Sequence, residues 1–99
     1  MPLKIKSISS INEQISIIFE ENWYQEDIEY LRQLLLDKLT NYKMKEVTLG
    51  ADRENIRFEY LSAEFVLNFD FYSQSCWFSA QDELSSLKIH HLYKVLLEG

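Results

Sequence analysis

Two glycines, one proline and one cysteine are all that this 99-residue sequence contains of those residue types. So little glycine and proline excludes a low-complexity or linker-rich chain, and two glycines cannot build a glycine-rich phosphate loop. A single thiol, Cys76, excludes an intrachain disulfide and a zinc site made of several thiolates, and it fits a reducing compartment. Clusters of Lys and Arg are missing, and the net charge of -6 disfavours nucleic acid backbones and anionic membrane surfaces. No apolar run approaches the roughly 20 residues of a membrane span, and no such run follows the opening Met1-Pro2-Leu3-Lys4 to resemble a secretion signal. The expectation is a cytoplasmic protein with no membrane partner. The zinc motif H-E-x-x-H is absent as well. His90 and His91 are adjacent on a predicted helix, so their side chains diverge by about 100°, and no metal or other cofactor is implied.

What is present is a chain made for folding. Hydrophobic residues make up 46% and aromatics 14%, with six Phe, six Tyr and two Trp to fill the core of one small domain spanning residues 1–99. The acidity is uneven, net -2 over residues 1–49 and net -4 over residues 50–99, so the later half is the better match for a basic surface.

Periodicity supplies the element order. Leu3 and Ile5 alternate with Lys4 and Lys6 in a first strand running to Ile8, and Ser9 to Glu13 suggests a turn. Gln14 to Glu20 follows as a second strand, with Ile15, Ile17 and Phe19 on one face. Asn22 is positioned to cap a helix from Trp23, with a stripe of Ile28, Leu31, Leu35, Leu39 and Tyr42. Lys45 to Leu49 is a short strand, Gly50 to Arg53 a turn in which glycine would allow a left-handed backbone, and Ile56 to Tyr60 the next strand. Glu64 to Phe71 keeps the two-residue period longest, Phe65, Leu67, Phe69 and Phe71 inward and the alternate positions wet, as in a central antiparallel strand. Ser75 to Ser79 is the last strand. Ser79 and Asp82 have the spacing of a cap for a final helix, packed by Ile89, Leu92, Tyr93 and Leu96 and extended by Leu84, Leu87 and Leu97. The order β-β-α-β-β-β-β-α predicts an α+β fold, mostly antiparallel, with two helices packed on one face.

Asp70, Tyr72, Ser73, Gln74, Ser75 and Trp77 form the densest polar and aromatic cluster, and Tyr and Trp are common binding anchors. The same residues could instead simply cover a sheet edge or pack against a helix. Arg53, beside Asp52, offers a planar donor fork for Glu54, for Asp70 or for a group on a partner. Cys76 has no base near it in sequence and reads as a buried structural cysteine. The acidic pairs Glu20-Glu21 and Glu26-Asp27 fit helix-end electrostatics rather than acid–base chemistry.

With Gly50-Ala51-Asp52-Arg53 and Phe71-Tyr72-Ser73-Gln74-Ser75-Cys76-Trp77 in view, the chain resembles DUF3630, a family of small bacterial proteins of unknown function seen mainly in gammaproteobacteria. In that family a GADR turn precedes a strand, and a later strand leads into a segment of the form hYSxSxW. Gly50 to Arg53, Tyr72, Ser73, Ser75 and Trp77 match, while Gln74 and Cys76 fall at variable places. The resemblance implies a small cytoplasmic protein, carries no activity, and directs interest to Asp52, Arg53, Tyr72 and Trp77.

Three functions remain open from the sequence. The leading one is a noncatalytic protein-interaction or adaptor domain that uses the Tyr72–Trp77 region, binding an unidentified protein or associating with itself. The second is an acidic inhibitor or immunity-type protein that neutralises a basic partner, which would need a contiguous acidic patch near Asp52, Glu64 and Asp70. An enzyme is the third, and it would need a cleft joining Cys76 to His90 or His91, or Arg53 to a carboxylate.

Overall fold

Alternation of apolar and polar residues organises most of the chain into one six-stranded antiparallel sheet. The computed structural model describes residues 3–98. Its elements are β1 (Ile5–Ile11), β2 (Gln14–Phe19), α1 (Ile28–Leu36, entered through a 3-10 turn at Gln25–Asp27), β3 (Lys43–Leu49), β4 (Arg53–Tyr60), β5 (Ala63–Asp70), β6 (Ser75–Ala80) and α2 (Glu83–Glu98). The spatial order is β1-β2-β6-β5-β4-β3, which places β5 and β6 at the centre. This is the expected β-β-α-β-β-β-β-α fold, with both helices on one face.

That helix face holds the core. Ile15 and Ile17 of β2 lie opposite Phe78 and Cys76 of β6, which in turn oppose Leu67 and Phe69 of β5; Ile56 and Phe58 continue the layer on β4. All of these side chains are buried, together with Leu31, Leu35 and Leu36 of α1 and Ile89, Leu92 and Leu96 of α2. Phe58 packs against Phe65 and Phe78 with ring centroids 5.9 Å apart in each pair.

Among the described residues, no helix lies over the opposite face. On β1, β2 and β6 it presents Ser7, Ser9, Ser16, Ser75 and Ser79. Ile11, Gln14, Ile18 and Trp77 complete those three rows. Beyond them come Val66 and Asn68 of β5 and Asn55 and Arg57 of β4. Asn68 departs from the expectation of a wet outer row, for it is only 7% exposed. Its amide nitrogen donates to the carbonyls of Val66 and Trp77 and to Ser79 Oγ, and its oxygen accepts from Asn55 Nδ2 at 2.7 Å.

Four local expectations are corrected. First, α1 starts later and ends earlier than its apolar stripe suggested, and Asn22 does not cap it. The chain remains extended at Tyr24 (φ -115, ψ 168), whose N–H donates to Asp27 Oδ2 at 2.8 Å. Trp23, drawn into the core at 2% exposure, holds this segment away from helical geometry. At the far end single-turn bonds carry Lys38 and Leu39, and Asn41 at φ 59 turns the chain toward β3.

Second, Gly50 does not use a left-handed backbone. Its turn is closed by its own N–H donating to the Arg53 carbonyl at 2.7 Å. Among the described residues the left-handed ones are instead Asn12, Glu13, Asn41, Leu61, Ser62 and Gln74.

Third, Leu84, Leu87 and Leu97 do not extend the stripe of α2; Leu87 is 79% exposed. Ser85 occupies the first inward position instead. Fourth, Ser79 is no helix cap, since its hydroxyl serves Asn68. The cap is a reciprocal Asp82–Ser85 pair. Ser85 N–H donates to Asp82 Oδ1 at 2.9 Å, while Ser85 Oγ accepts from the Gln81 and Asp82 N–H groups, each at 2.9 Å.

The bonds from Ser85 lower the Asp82 pKa below its ordinary value of 3.8. A depressed carboxyl contributes stability that is present above the unfolded value and lost as pH falls through the folded one. Asp82→Asn is therefore expected to lower the melting temperature at neutral pH, with the deficit shrinking below pH 3.8. A deficit that is constant with pH would show that the carboxylate charge is not what holds this helix end.

Candidate functional site

The two segments singled out by sequence meet at one end of the sheet. The β3–β4 turn (residues 50–53) and the β5–β6 turn (residues 71–74) are joined by the Phe71 N–H donating to the Asp52 carbonyl at 2.9 Å. Arg53 and Asp70 face each other across the β4–β5 ladder, and Arg53 Nε lies 3.2 Å from Asp70 Oδ2. The other oxygen, Asp70 Oδ1, accepts from the Ser73 N–H at 3.3 Å, and Ser73 Oγ and Ser75 Oγ are hydrogen-bonded at 2.8 Å. Asp70 thereby braces both turns.

A third segment, the β2–α1 connection, closes the site. Gln74 grips its backbone: Trp23 N–H donates to Gln74 Oε1 at 2.9 Å, and Gln74 Nε2 donates to the Trp23 carbonyl at 2.8 Å and to the Phe71 carbonyl at 3.1 Å. Gln25 Nε2 donates to the Ala51 carbonyl. The indole of Trp23 meets Phe69 and Phe71 edge-on at 5.7 and 6.2 Å. Trp23, Tyr24 and Gln25 were missed in the sequence because their partners lie far away in the chain, and no local pattern marks them.

Most of the candidate residues thus have bonding duties within the protein, and a few do not. Gln74 is a structural clasp. Asp70, Ser73 and Ser75 hold the turn. Tyr72, by contrast, is 83% exposed, Tyr24 beside Phe71 is 58% exposed, and the Arg53 side chain is 70% exposed despite its ion pair. A shallow depression of about 190 Å³, lined by Gln25, Ile28, Leu49, Gly50, Arg53 and Glu54 among others, lies beside them. Trp77 is not part of this end: it lies on the open face of the sheet, half-buried.

Charges along β4 and β5 are largely matched. Arg57 bonds to Glu64 at 2.9 Å and to Glu46 at 3.2 Å, which raises the Arg57 pKa, chiefly through Glu64. Glu54 sits 3.4 Å from Arg32; burial raises its pKa, Arg32 opposes that rise and Glu29 adds to it. Cys76 is buried on the helix face, and burial pushes its thiol pKa well above 9.0, the reverse of what a nucleophilic thiolate requires. His90 and His91 are both exposed on α2. Among the described residues, no group of three or more His, Cys, Asp or Glu side chains is placed to hold a metal ion, and no helix is long and apolar enough to cross a membrane.

A family model described as "Protein of unknown function (DUF3630)" matches residues 4–98. Neither the curated proteins nor the solved structures contain a match.

Proposed function

The chain belongs to the DUF3630 family, and from that premise and the sheet-end geometry we propose a noncatalytic protein-interaction domain that engages its partner with the Tyr72 turn, beside Asp52 and Arg53. One observation carries the reading: Tyr72 is 83% exposed on a turn whose neighbours Asp70, Ser73 and Gln74 are all locked by hydrogen bonds. A large aromatic presented on a rigid turn costs little ordering entropy when it is covered, which is the property of a binding anchor. Tyr24 adds a second exposed ring on the neighbouring segment, and Arg53, oriented by Asp70, retains donors for a partner carboxylate.

The acidic-inhibitor reading draws no support from the carboxylates of β5. Asp70 and Glu64, two of the carboxylates it requires, are each matched by an arginine. Of the two constellations an enzymatic reading requires, Cys76 is buried away from the exposed histidines, and Arg53 meets Asp70 as an exposed ion pair beside a shallow depression that also holds Glu54.

The test is a pull-down from native cell extract with the unmodified chain and with Tyr72→Ala and Asp52→Ala, each checked for an unchanged melting curve. Loss of a central aromatic anchor should weaken capture by about thirtyfold. Equal recovery of every captured protein by the unmodified chain and both variants would dispose of this contact surface.

A further inference from the structure

The open face of the sheet has a charge pattern that the Tyr72 site does not explain. None of its nine paired positions on β1, β2 and β6 carries a charge, in a chain where 26% of residues are charged; the exposed Lys6 falls at the register shift at the start of β1. Five of the nine are serines, and among them stand Trp77, Ile11 and Ile18, the last two 61% and 50% exposed. On β3, β4 and β5 the face does carry charge, but nearly in balance. Lys43 lies opposite Glu59, Arg57 opposite Glu46 and Arg53 opposite Asp70, and Arg57 also bonds to Glu64, whose own ladder partner is Glu59; three cations against four carboxylates leave these rows one charge from neutral on a chain of net charge -6.

The polar groups at its centre already satisfy one another. Asn55 donates to Asn68, Asn68 donates to Ser79 and to two carbonyls, and Arg57 is held between Glu64 and Glu46. Groups bonded in this way can leave water without losing their partners, so covering them costs far less than covering free ones.

We propose that this face is covered by a second copy of the chain, sheet against sheet, with Trp77 near the centre of the contact. Three observations select that occupant. Two chains of net charge -6 repel each other, and this broad, charge-balanced face is where they can meet without juxtaposing unpaired carboxylates. Six strands about 4.8 Å apart and about seven residues long give a flat footprint of roughly 650 Å². Side-chain relief brings this into the class of a standard interface, which buries about 800 Å² per partner. The face also has relief, because Trp77 is itself one wall of a trough of about 360 Å³ that Gln14, Ser16, Gln74 and Ser75 help to line. Two-fold symmetry would set each tryptophan against the small side chains of the other copy.

This contact borders the Tyr72 site at Arg53, Asp70 and Ser75 but is centred on Trp77, and its test keeps the two apart. Molar mass is measured by light scattering and by sedimentation across the micromolar range. The unmodified chain should move from one to two times 11.9 kDa with concentration. Acrylamide quenching of tryptophan fluorescence should fall in step, because Trp23 is buried throughout and only Trp77 becomes covered. Ser16→Arg places a charge and a long side chain on the face without touching the core, and should weaken association by at least about tenfold. Trp77→Ser should weaken it by about thirtyfold. Ser9→Arg, on the same face of β1, serves in place of Ser16→Arg if that variant does not fold, and Tyr72→Ala should dimerise normally. A chain that remains a monomer at the highest concentration overturns the proposal. So does a dimer that survives both face variants, or one that only Tyr72→Ala dissociates.

Discussion

Trp23→Ala is expected to destabilise the protein by about 3–5 kcal/mol, the usual cost of emptying a buried tryptophan site. In a domain whose total stability is of the order of 5–15 kcal/mol, such a loss leaves little reserve. Two effects combine here. The indole fills the space against Phe69 and Phe71, and the Trp23 backbone is the handle by which Gln74 ties the β2–α1 connection to the β5–β6 turn. Gln74→Ala leaves the indole but strands the Trp23 N–H and carbonyl, for a cost of about 2–3 kcal/mol. Gln74 also stands at φ 55, so Gln74→Gly should cost about 1 kcal/mol less than Gln74→Ala, because glycine accepts that backbone freely. The double variant Trp23→Ala, Gln74→Ala should lose less than the sum of the two, since both remove the same attachment. Urea unfolding of the four variants and the parent measures all of these terms. A Gln74→Ala chain within about 0.5 kcal/mol of the parent would mean that water replaces the amide and that the clasp is not a stability element.

This clasp marks the boundary of what the sequence discloses. Strand β5 was readable because Phe65, Leu67 and Phe69 repeat at the period of the pleat, and the period alone decides which face they occupy. The same period sets Cys76 and Phe78 on one face of β6 and Trp77 on the other, and the structure turns the first two inward. It failed wherever a polar side chain took a position assigned to an apolar one. Ser85 is wholly buried at the start of α2 because its hydroxyl satisfies two backbone donors, and the helix is thereby rotated so that Leu84 and Leu87 point outward. The Gln74 amide bonds to a residue 51 positions away, which no local pattern can announce. The candidate site divided along the same line. Tyr72 and Arg53 are exposed as a contact surface requires, whereas Gln74, Ser73 and Ser75 are engaged in holding the turn that presents them.

Replacement of Leu61-Ser62 by Asn-Gly is expected to stabilise the protein by about 1–2 kcal/mol. Tyr60 and Ala63 are paired across β4 and β5, so Leu61 and Ser62 form a two-residue hairpin loop, and both have positive φ, 57 and 60. Such a turn matches the right-handed twist of the strands, but it imposes on each non-glycine residue a conformation in which Cβ crowds the backbone. Asn and Gly adopt it with little strain. Little is given up in return: Leu61 is 41% exposed at the loop tip, and its contact with α2 is through its carbonyl, which accepts from Lys88 Nζ at 2.6 Å and is retained in the variant. The β1–β2 loop shows the same backbone at Asn12 and Glu13 (φ 49 and 63), with asparagine already at its first position. For a domain of this size the gain corresponds to a rise in melting temperature of about 4–8 °C per kcal/mol. A melting temperature that is unchanged or lowered would show that Leu61 supplies packing the static contacts do not reveal, and that the turn is held by its side chains rather than strained by its backbone.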